Sequence, residues 1–499
     1  MDGNPIPIVE ETKFLGLIFD RKLTFLPHII YLKDRCQKAL DLLRVVSNTD
    51  WGAVRRVLLR LYRALIRSKL DYGCIVYGSA CKSYLKKLDT IHNQGLRLCL
   101  GAFKTSPIES LYAEANEPSL NNRRTKLSLQ YAIKLRSNPT NPAYDAVFKP
   151  NFVTIFARQP TRIPTFGIRI KPYLEQSDIN VHSIAKNSVS DIPPWLIRKP
   201  KVIFDINKHK KCTTNPVLFH EAFHEIKTQY NDYRQFYTDG SKDGDRVASA
   251  AVTPENTLST RLPNMSSIFS AEAKAILLAL DSIEEHNYQK SIIFSDSQSC
   301  LLAIQNLKLD NTNILCAVQR YHALSEDGKE VILCWIPSHV GIKGNELADA
   351  AAKAGLQLPI TDSKIPHSDC KMYVNKYICN LWQNAWNLEV SNKLHDIKPI
   401  LGEWPPAYRD VRRDEVVLCR CRIGHSLYTN LYLLKGEPRP ECVACQCPLT
   451  VKHILIDCVD FAHVRQNYFN QRSMRDLFRE VQTDLILNFL KEIHLFRKF

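Results

Sequence analysis

Four acids between residues 231 and 356 each sit where a predicted strand or helix begins or ends, and that placement constrains the fold more than any other feature of the chain. Phe236-Tyr-Thr-Asp239-Gly240-Ser241 reads as an apolar strand ending in a carboxylate, with glycine next so that another backbone can come close. Val247–Val252 and Thr257–Leu262 read as two further strands of a meander. In Phe269–Leu280, Ala273, Ile276, Leu277 and Leu280 recur at helical steps; Ser270 is the expected N-cap, which places Glu272 in the first turn. Ile292-Ile-Phe-Ser-Asp296 is a buried strand that delivers an acid at its C-terminal end. Trp335 to Asp349 reads as a strand end, a glycine-bearing loop holding His339, and a helix start.

Taken singly, these residues have ordinary explanations. An Asp after a strand is commonly a turn residue, Glu272 suits a helix N-terminus, and Asp349 could pair with Lys353 one turn on. As an ordered set they predict one anionic pocket, which repels itself unless cations are present. Magnesium prefers carboxylate and phosphate oxygens, and a pair of such ions about 3.5–4 Å apart activates water and stabilises a leaving oxygen in phosphodiester hydrolysis.

The series Tyr-Thr-Asp239-Gly-Ser, Ala-Glu272, Ser-Asp296-Ser and Ser-His339-Val-Gly-Ile-Lys-Gly-Asn345-Glu-Leu-Ala-Asp349 closely resembles the type 1 RNase H family. The resemblance implies a mixed five-stranded sheet, three antiparallel strands then two parallel ones, with flanking helices. It further implies a ribonuclease that cuts the RNA strand of RNA–DNA hybrids with two Mg²⁺ ions, leaving 5′-phosphate ends. Carried over, Asp239 bridges both ions, Glu272 and Asp296 hold the leaving-group ion, and Asp349 holds the water-activating one. His339 would assist proton transfer or product release. Gly240, Ser241 and Gln298, with Asn345, would be the substrate contacts, the first three reading the 2′-OH in the minor groove. Two departures stand out: Ile268 and Phe269 occupy positions where family members often carry Asn or Gln, and only Lys308, Arg320 and Lys329 are basic between Asp296 and His339.

The flanks resemble a non-LTR retrotransposon polyprotein of the jockey or I type. Thr12–Asp20 resembles the strand pair closing a polymerase palm, read here as a hairpin of Lys13–Phe19 with Leu23–Phe25. Ser68–Ser79 and Ile91–Arg97 resemble the helical thumb and connection after it. No Tyr/Phe-Ala-Asp-Asp motif occurs in the sequence, so the resemblance implies a fragment without the polymerase active site. Cys442-x2-Cys445-x7-His453-x4-Cys458 suits tetrahedral Zn²⁺ and resembles the knuckle ending such polyproteins. Cys447 is an alternative ligand, and buried free cysteines would be the plain structural reading.

The expected organisation is a multidomain chain, mainly α plus α/β. Residues 1–135 are the remnant of palm end and thumb, 136–230 an irregular connector, and 231–356 the nuclease. A helical connector (357–410), a knuckle-like region (411–465) and a helical tail (466–499) follow. Residues 231–356 hold 16 acidic and 11 basic residues, so this net of −5 leaves +21 in the rest of a chain whose total is +16. That asymmetry fits an acidic, metal-holding core beside segments able to hold a polyanion, and it also serves solubility. Val54–Leu70 concentrates it, with Arg55, Arg56, Arg60, Arg63 and Arg67 between apolar positions. With no apolar run of spanning length and no signal-like N-terminus, a nuclear or cytoplasmic setting without membrane contact is expected. Two functional classes follow: a hybrid-cutting nuclease, or a nucleic-acid-binding module of the same fold with weak or lost catalysis.

Overall fold

A computed structural model describes residues 8–151, 153–159, 162–187, 192–193, 195–208, 215–361, 363–404 and 411–499. Pro160, Thr161 and Pro194, which belong to the proline-rich interruptions of the expected connector, lie outside them. The chain forms two compact units, one from residues 1–128, 152–169 and 376–499, the other from 129–151 and 170–375.

The first unit opens with an antiparallel hairpin, β1 (Glu11–Phe14) and β2 (Leu17–Asp20). Leu15 and Gly16 form its two-residue turn with φ of 46° and 82°, the left-handed pair that matches strand twist and that glycine adopts without a Cβ clash. The turn therefore falls inside the run read as one strand. Leu23–Phe25 is not a strand; the Asp20 carboxylate accepts the Thr24 and Phe25 N–H groups at 3.0 and 2.7 Å and leads the chain into helix α1 (Leu26–Val46).

After α1 come the helix Arg55–Tyr62, a π-helical turn Arg63–Arg67, and α2 (Ser68–Asp71). Leu58, Tyr62 and Ile66 are fully buried at four-residue steps, while Val57 and Leu65, which the spacing also offered as apolar-face positions, are exposed. The arginines between them behave differently from a free basic face. Arg55 binds Glu114 at 3.0 Å, and Arg63 and Arg67 converge on Glu117, Arg67 at 2.7 Å.

Glu114 also joins the two ends of the chain. Its side chain is fully buried, meets Arg422 as well as Arg55, and accepts the Trp404 indole N–H at 2.9 Å. Burial alone would raise its pKa, but Arg422 and Arg55 hold it below the usual value. The helix Arg412–Ile423 continues the union. Its Cys419 and Ile423 enter the core of Leu40, Leu58 and Leu111, while Val417 and Cys421 enter one with Leu455 and Phe489.

The second unit is built on a six-stranded sheet in the order β3-β8-β7-β4-β5-β6. The strands are β3 (Lys201–Ile203), β4 (Arg234–Asp243), β5 (Arg246–Val252), β6 (Thr257–Leu262), β7 (Lys290–Ser295) and β8 (Glu330–Trp335). β4, β5 and β6 are antiparallel, and β7 and β8 add in parallel, as expected. β3 is a sixth strand, parallel to β8, contributed by the segment ahead of the expected nuclease. Helix α3 (Pro216–Gln229) from that segment lays Phe219 and Ile226 in one core with Ile292, Phe294 and Ile332. Helix α4 (Ile268–Glu285) covers the other face, where Ala273, Ile276 and Leu280 meet Phe236 and Ile293. Alternation along β7 thus sends successive residues to opposite cores.

Removing one partner of a buried ion group leaves the others desolvated, at a cost of about 3–5 kcal/mol. Glu114→Gln, which strands Arg422 and Arg55, is expected to lower urea stability by an amount in that range. Glu10→Gln, which breaks the exposed Arg21 pair, should cost under about 1 kcal/mol. Equal losses in the two variants would contradict the assignment.

Candidate active site

The sheet register dictates the first pair of acids. Thr238 on β4 stands opposite Ser295 on β7, and the two strands run parallel. The next residues, Asp239 and Asp296, therefore emerge side by side at neighbouring strand ends. Glu272 comes from α4, which begins at Ile268 with Ser267 as its N-cap; the Ser267 hydroxyl accepts the Ser270 N–H at 3.1 Å. This corrects the expected cap at Ser270 and moves Glu272 into the second turn. The earlier start has a cause beyond the helix: the Asp369 carboxylate accepts both the backbone N–H and the hydroxyl of Ser267, at 2.8 and 3.0 Å.

Gly240 sets how closely α4 can approach. A Cβ there would lie 2.8 Å from the Glu272 backbone nitrogen and 3.0 Å from the Ala271 Cβ. Only a residue without a side chain lets the helix settle onto β4, and the Ser249 hydroxyl fastens it by donating to the Ala271 carbonyl at 2.7 Å. As a result, ligand oxygens of Asp239, Glu272 and Asp296 all lie within 4.8 Å of one another.

The electrostatics reflect this crowding. Burial, then the charges of Asp296 and Asp349, push the Asp239 carboxyl up to about 7. Burial, then Asp239 and Asp296, raise Glu272 well above its usual value, and its Oε2 is buried with no hydrogen-bond partner. Asp296 is raised by burial, against a hydrogen bond from Asn345 and the charge of His339. Oxygen ligands this close, one of them orphaned, fit a hard divalent cation.

Helix α5 (Lys343–Gly355) supplies the rest. Asn345 is buried and hydrogen-bonds Asp296. Asp349, one turn on, is near enough to act on both Asp239 and Asp296 and accepts the Lys353 ammonium at 2.8 Å. The His339 side chain forms a second close group with Glu346 and Asp349, ligand atoms again within 4.8 Å. His339 is exposed and holds φ at 51°, next to a turn in which the Gly341 N–H donates to Glu346 at 3.3 Å. Glu346 was not singled out from sequence, although its place one helical turn before Asp349 was a legible signal. Gly240 and Ser241 extend β4 past Asp239, and Gln298 opens the helix Gln298–Gln305, its N–H on the Asp296 carbonyl at 3.0 Å.

In the other unit, Cys442, Cys445, His453 and Cys458 bring their ligand atoms within 4.8 Å of one another. The Cys442 and Cys445 sulfurs lie 3.8 and 4.0 Å from that of Cys458, close to the edge of about 3.8 Å of a tetrahedron with 2.3 Å zinc–sulfur bonds. A tight turn makes the approach possible: the Cys442 N–H donates to the Cys447 carbonyl at 2.8 Å, and Gln446 takes a φ of 49°. Cys447 lies 3.4 Å from the His453 Nδ1.

Residues 231–357 match the RNase H family model. The chain is similar to a probable RNA-directed DNA polymerase from transposon X-element of Drosophila melanogaster, 31% identical over 103 residues, which are 19% of this chain and 11% of that one. It is also similar to the RNA-directed DNA polymerase from mobile element jockey of the same organism, 27% identical over 149 residues, 29% of this chain and 16% of that one. The matches thus span well under a fifth of these relatives' length. Among solved structures, RNase H1 from the halophilic archaeon Halobacterium salinarum is 18% identical, with a TM-score of 0.21, covering 25% of this chain and 97% of that one.

A carboxyl whose pKa is raised on folding binds its proton more tightly in the folded chain than in the unfolded one. Its contribution is therefore favourable at low pH and is lost as pH rises through the folded value. With Asp239 near 7 and Glu272 also raised, the chain without Mg²⁺ should lose stability between about pH 4 and 7. Added Mg²⁺ should raise Tm more at pH 8 than at pH 5, and Asp239→Asn should flatten that difference. A Tm gain independent of pH would contradict it.

Proposed function

We propose that this chain, a relative of non-LTR retrotransposon proteins with an RNase H domain at residues 231–357, cuts the RNA strand of RNA–DNA hybrids endonucleolytically. The observation that carries the reading is the convergence of Asp239, Glu272 and Asp296, largely withdrawn from water and bordered by Asp349. Magnesium ions held by these four acids would supply an activated water and charge stabilisation at the departing oxygen. Asn345 keeps the Asp296 carboxylate oriented through their hydrogen bond. His339, exposed on its turn, is free to carry a proton at the departing 3′ oxygen, which leaves the phosphate on the 5′ side. Backbone amides of Gly240 and Ser241, with Gln298, would meet the 2′-hydroxyls that distinguish RNA from DNA.

A second reading, a binding module of the same fold with weak catalysis, draws on the Lys353 ammonium sitting on Asp349. That cation competes for the oxygen a metal would use. The full-length chain, given a labelled hybrid and Mg²⁺, separates the two. Asp296→Asn should reduce cutting by about a hundredfold or more while hybrid binding persists. Lys353→Met should lower the Mg²⁺ concentration for half-maximal cutting. Equal cutting by wild type and Asp296→Asn would overturn the nuclease reading, and binding without cutting at any Mg²⁺ concentration would establish the module.

Cys442, Cys445, His453 and Cys458 are proposed as a Zn²⁺ site. Four protein ligands leave no open coordination position, so its role would be to shape a nucleic-acid contact. Zinc measured on the purified chain should be near one equivalent and fall in Cys442→Ser; retention in that variant would point to Cys447 as the ligand.

A further inference from the structure

The turn that carries His339 is held in a conformation its own residues do not favour. His339 has a φ of 51° and Gly341 one of 85°. Glycine adopts such values freely, but histidine does so seldom. A residue other than glycine stays there only where its surroundings over-determine it. Part of the hold lies inside the turn, in the Gly341 N–H donating to Glu346 at 3.3 Å. Packing adds to it, and that packing comes from outside the nuclease match, which begins at residue 231.

Helix α3 ends ahead of that match, at Gln229. Its N-cap Asn215 accepts the Val217 N–H at 3.1 Å, and Phe219, Phe223 and Ile226 then recur at helical steps along one stripe. The stripe shares a core with Ile336, Val340 and Ile342, apolar residues on both sides of His339. Phe219 is 1% exposed and Ile342 3%. His220, the next residue of α3, lies over the turn. A Cβ at Gly341 would fall 3.3 Å from the His220 Nε2 and 3.4 Å from its Cε1, so the flat imidazole covers bare backbone there. His339 in turn stands with Glu346 and Asp349, ligand atoms within 4.8 Å. Whatever seats Val340 to Ile342 therefore decides where the His339 imidazole stands relative to these acids.

We propose that α3 is a working part of the nuclease, and that His220 is a positioning residue that keeps the His339 turn seated beside Asp349. The contact is independent of the nuclease reading; its effect on cutting rests on that reading.

The full-length chain with ¹⁵N-labelled histidines tests contact and effect separately. His220 is exposed, so His220→Ala should keep the wild-type urea midpoint. In that variant the His339 side-chain resonances should move or broaden. In His220→Phe, which restores a flat ring over Gly341, they should return toward wild type. Hybrid cutting by His220→Ala should fall by about threefold or more, the size of a coupling between residues in contact. The fall should appear equally in kcat and kcat/KM, as loss of a transition-state interaction does, and be recovered in His220→Phe. With His339→Ala already in place, His220→Ala should cost nothing further, because its influence passes through that imidazole. Unmoved His339 resonances in His220→Ala would overturn the proposal, and so would a loss of cutting that adds in full to that of His339→Ala. Shifted His339 resonances in a chain that cuts no hybrid would support the contact and count against the nuclease reading alone.

Discussion

Four carboxylates forced together with too few counter-charges are the constraint around which the second unit is built. Like charges in a desolvated pocket cost several kilocalories per mole if all are ionised, so the scaffold must hold them against their own repulsion. The parallel register of β4 and β7 fixes two of them by backbone hydrogen bonds alone. The third depends on a glycine, because any side chain at 240 would meet the backbone of α4. The fourth rides on α5 with one flank turned to Lys353. Burial first, and the neighbouring acids after it, set the Asp239 and Glu272 carboxyls above their usual values, so protons hold the charge in check in the absence of a metal.

The first unit solves the opposite problem. Most of the chain's positive charge lies outside the nuclease, and read as a pattern it suggests a surface for polyanions. Much of it is turned inward instead. Glu114 and Glu117 gather Arg55, Arg63, Arg67 and Arg422, and the Arg412 guanidinium donates to the Cys99 and Leu98 carbonyls at 2.7 and 2.9 Å. Guanidinium groups suit this use because their planar forks satisfy several acceptors at once.

How much of this was legible in the sequence follows from how local each cause is. Strands β4 to β8 and the four acids were readable because alternation and an acid at a segment end are properties of a few adjacent residues. Ser270 looked like a cap by the same local logic. The helix instead starts at Ser267 because Asp369, far along the chain, holds that serine, and no spacing rule reports such a partner. β3 and α3 went unread as parts of the sheet unit: three residues, Lys201–Ile203, are too short for a periodic signal, and only pairing with β8 makes them a strand. The hairpin was misjudged through Leu15, a residue that seldom adopts positive φ. Arg63 and Arg67 read only as part of a basic stretch because their shared acid lies some fifty positions on.

The two candidate cation sites differ in hardness, and that difference keeps them chemically separate. Carboxylate oxygens around Asp239 select small hard ions and bind thiophilic metals poorly relative to a thiolate site; three sulfurs and an imidazole around Cys458 do the reverse. A chain carrying both can therefore meet magnesium and zinc in one compartment without exchanging them. The separation also assigns them different work. The acids of the oxygen cluster come from the ends of separate elements, so their spacing is set by the sheet and helices around them. The sulfur cluster closes on itself across a sequence separation of sixteen, and so can brace the local fold more readily than it can turn over a substrate.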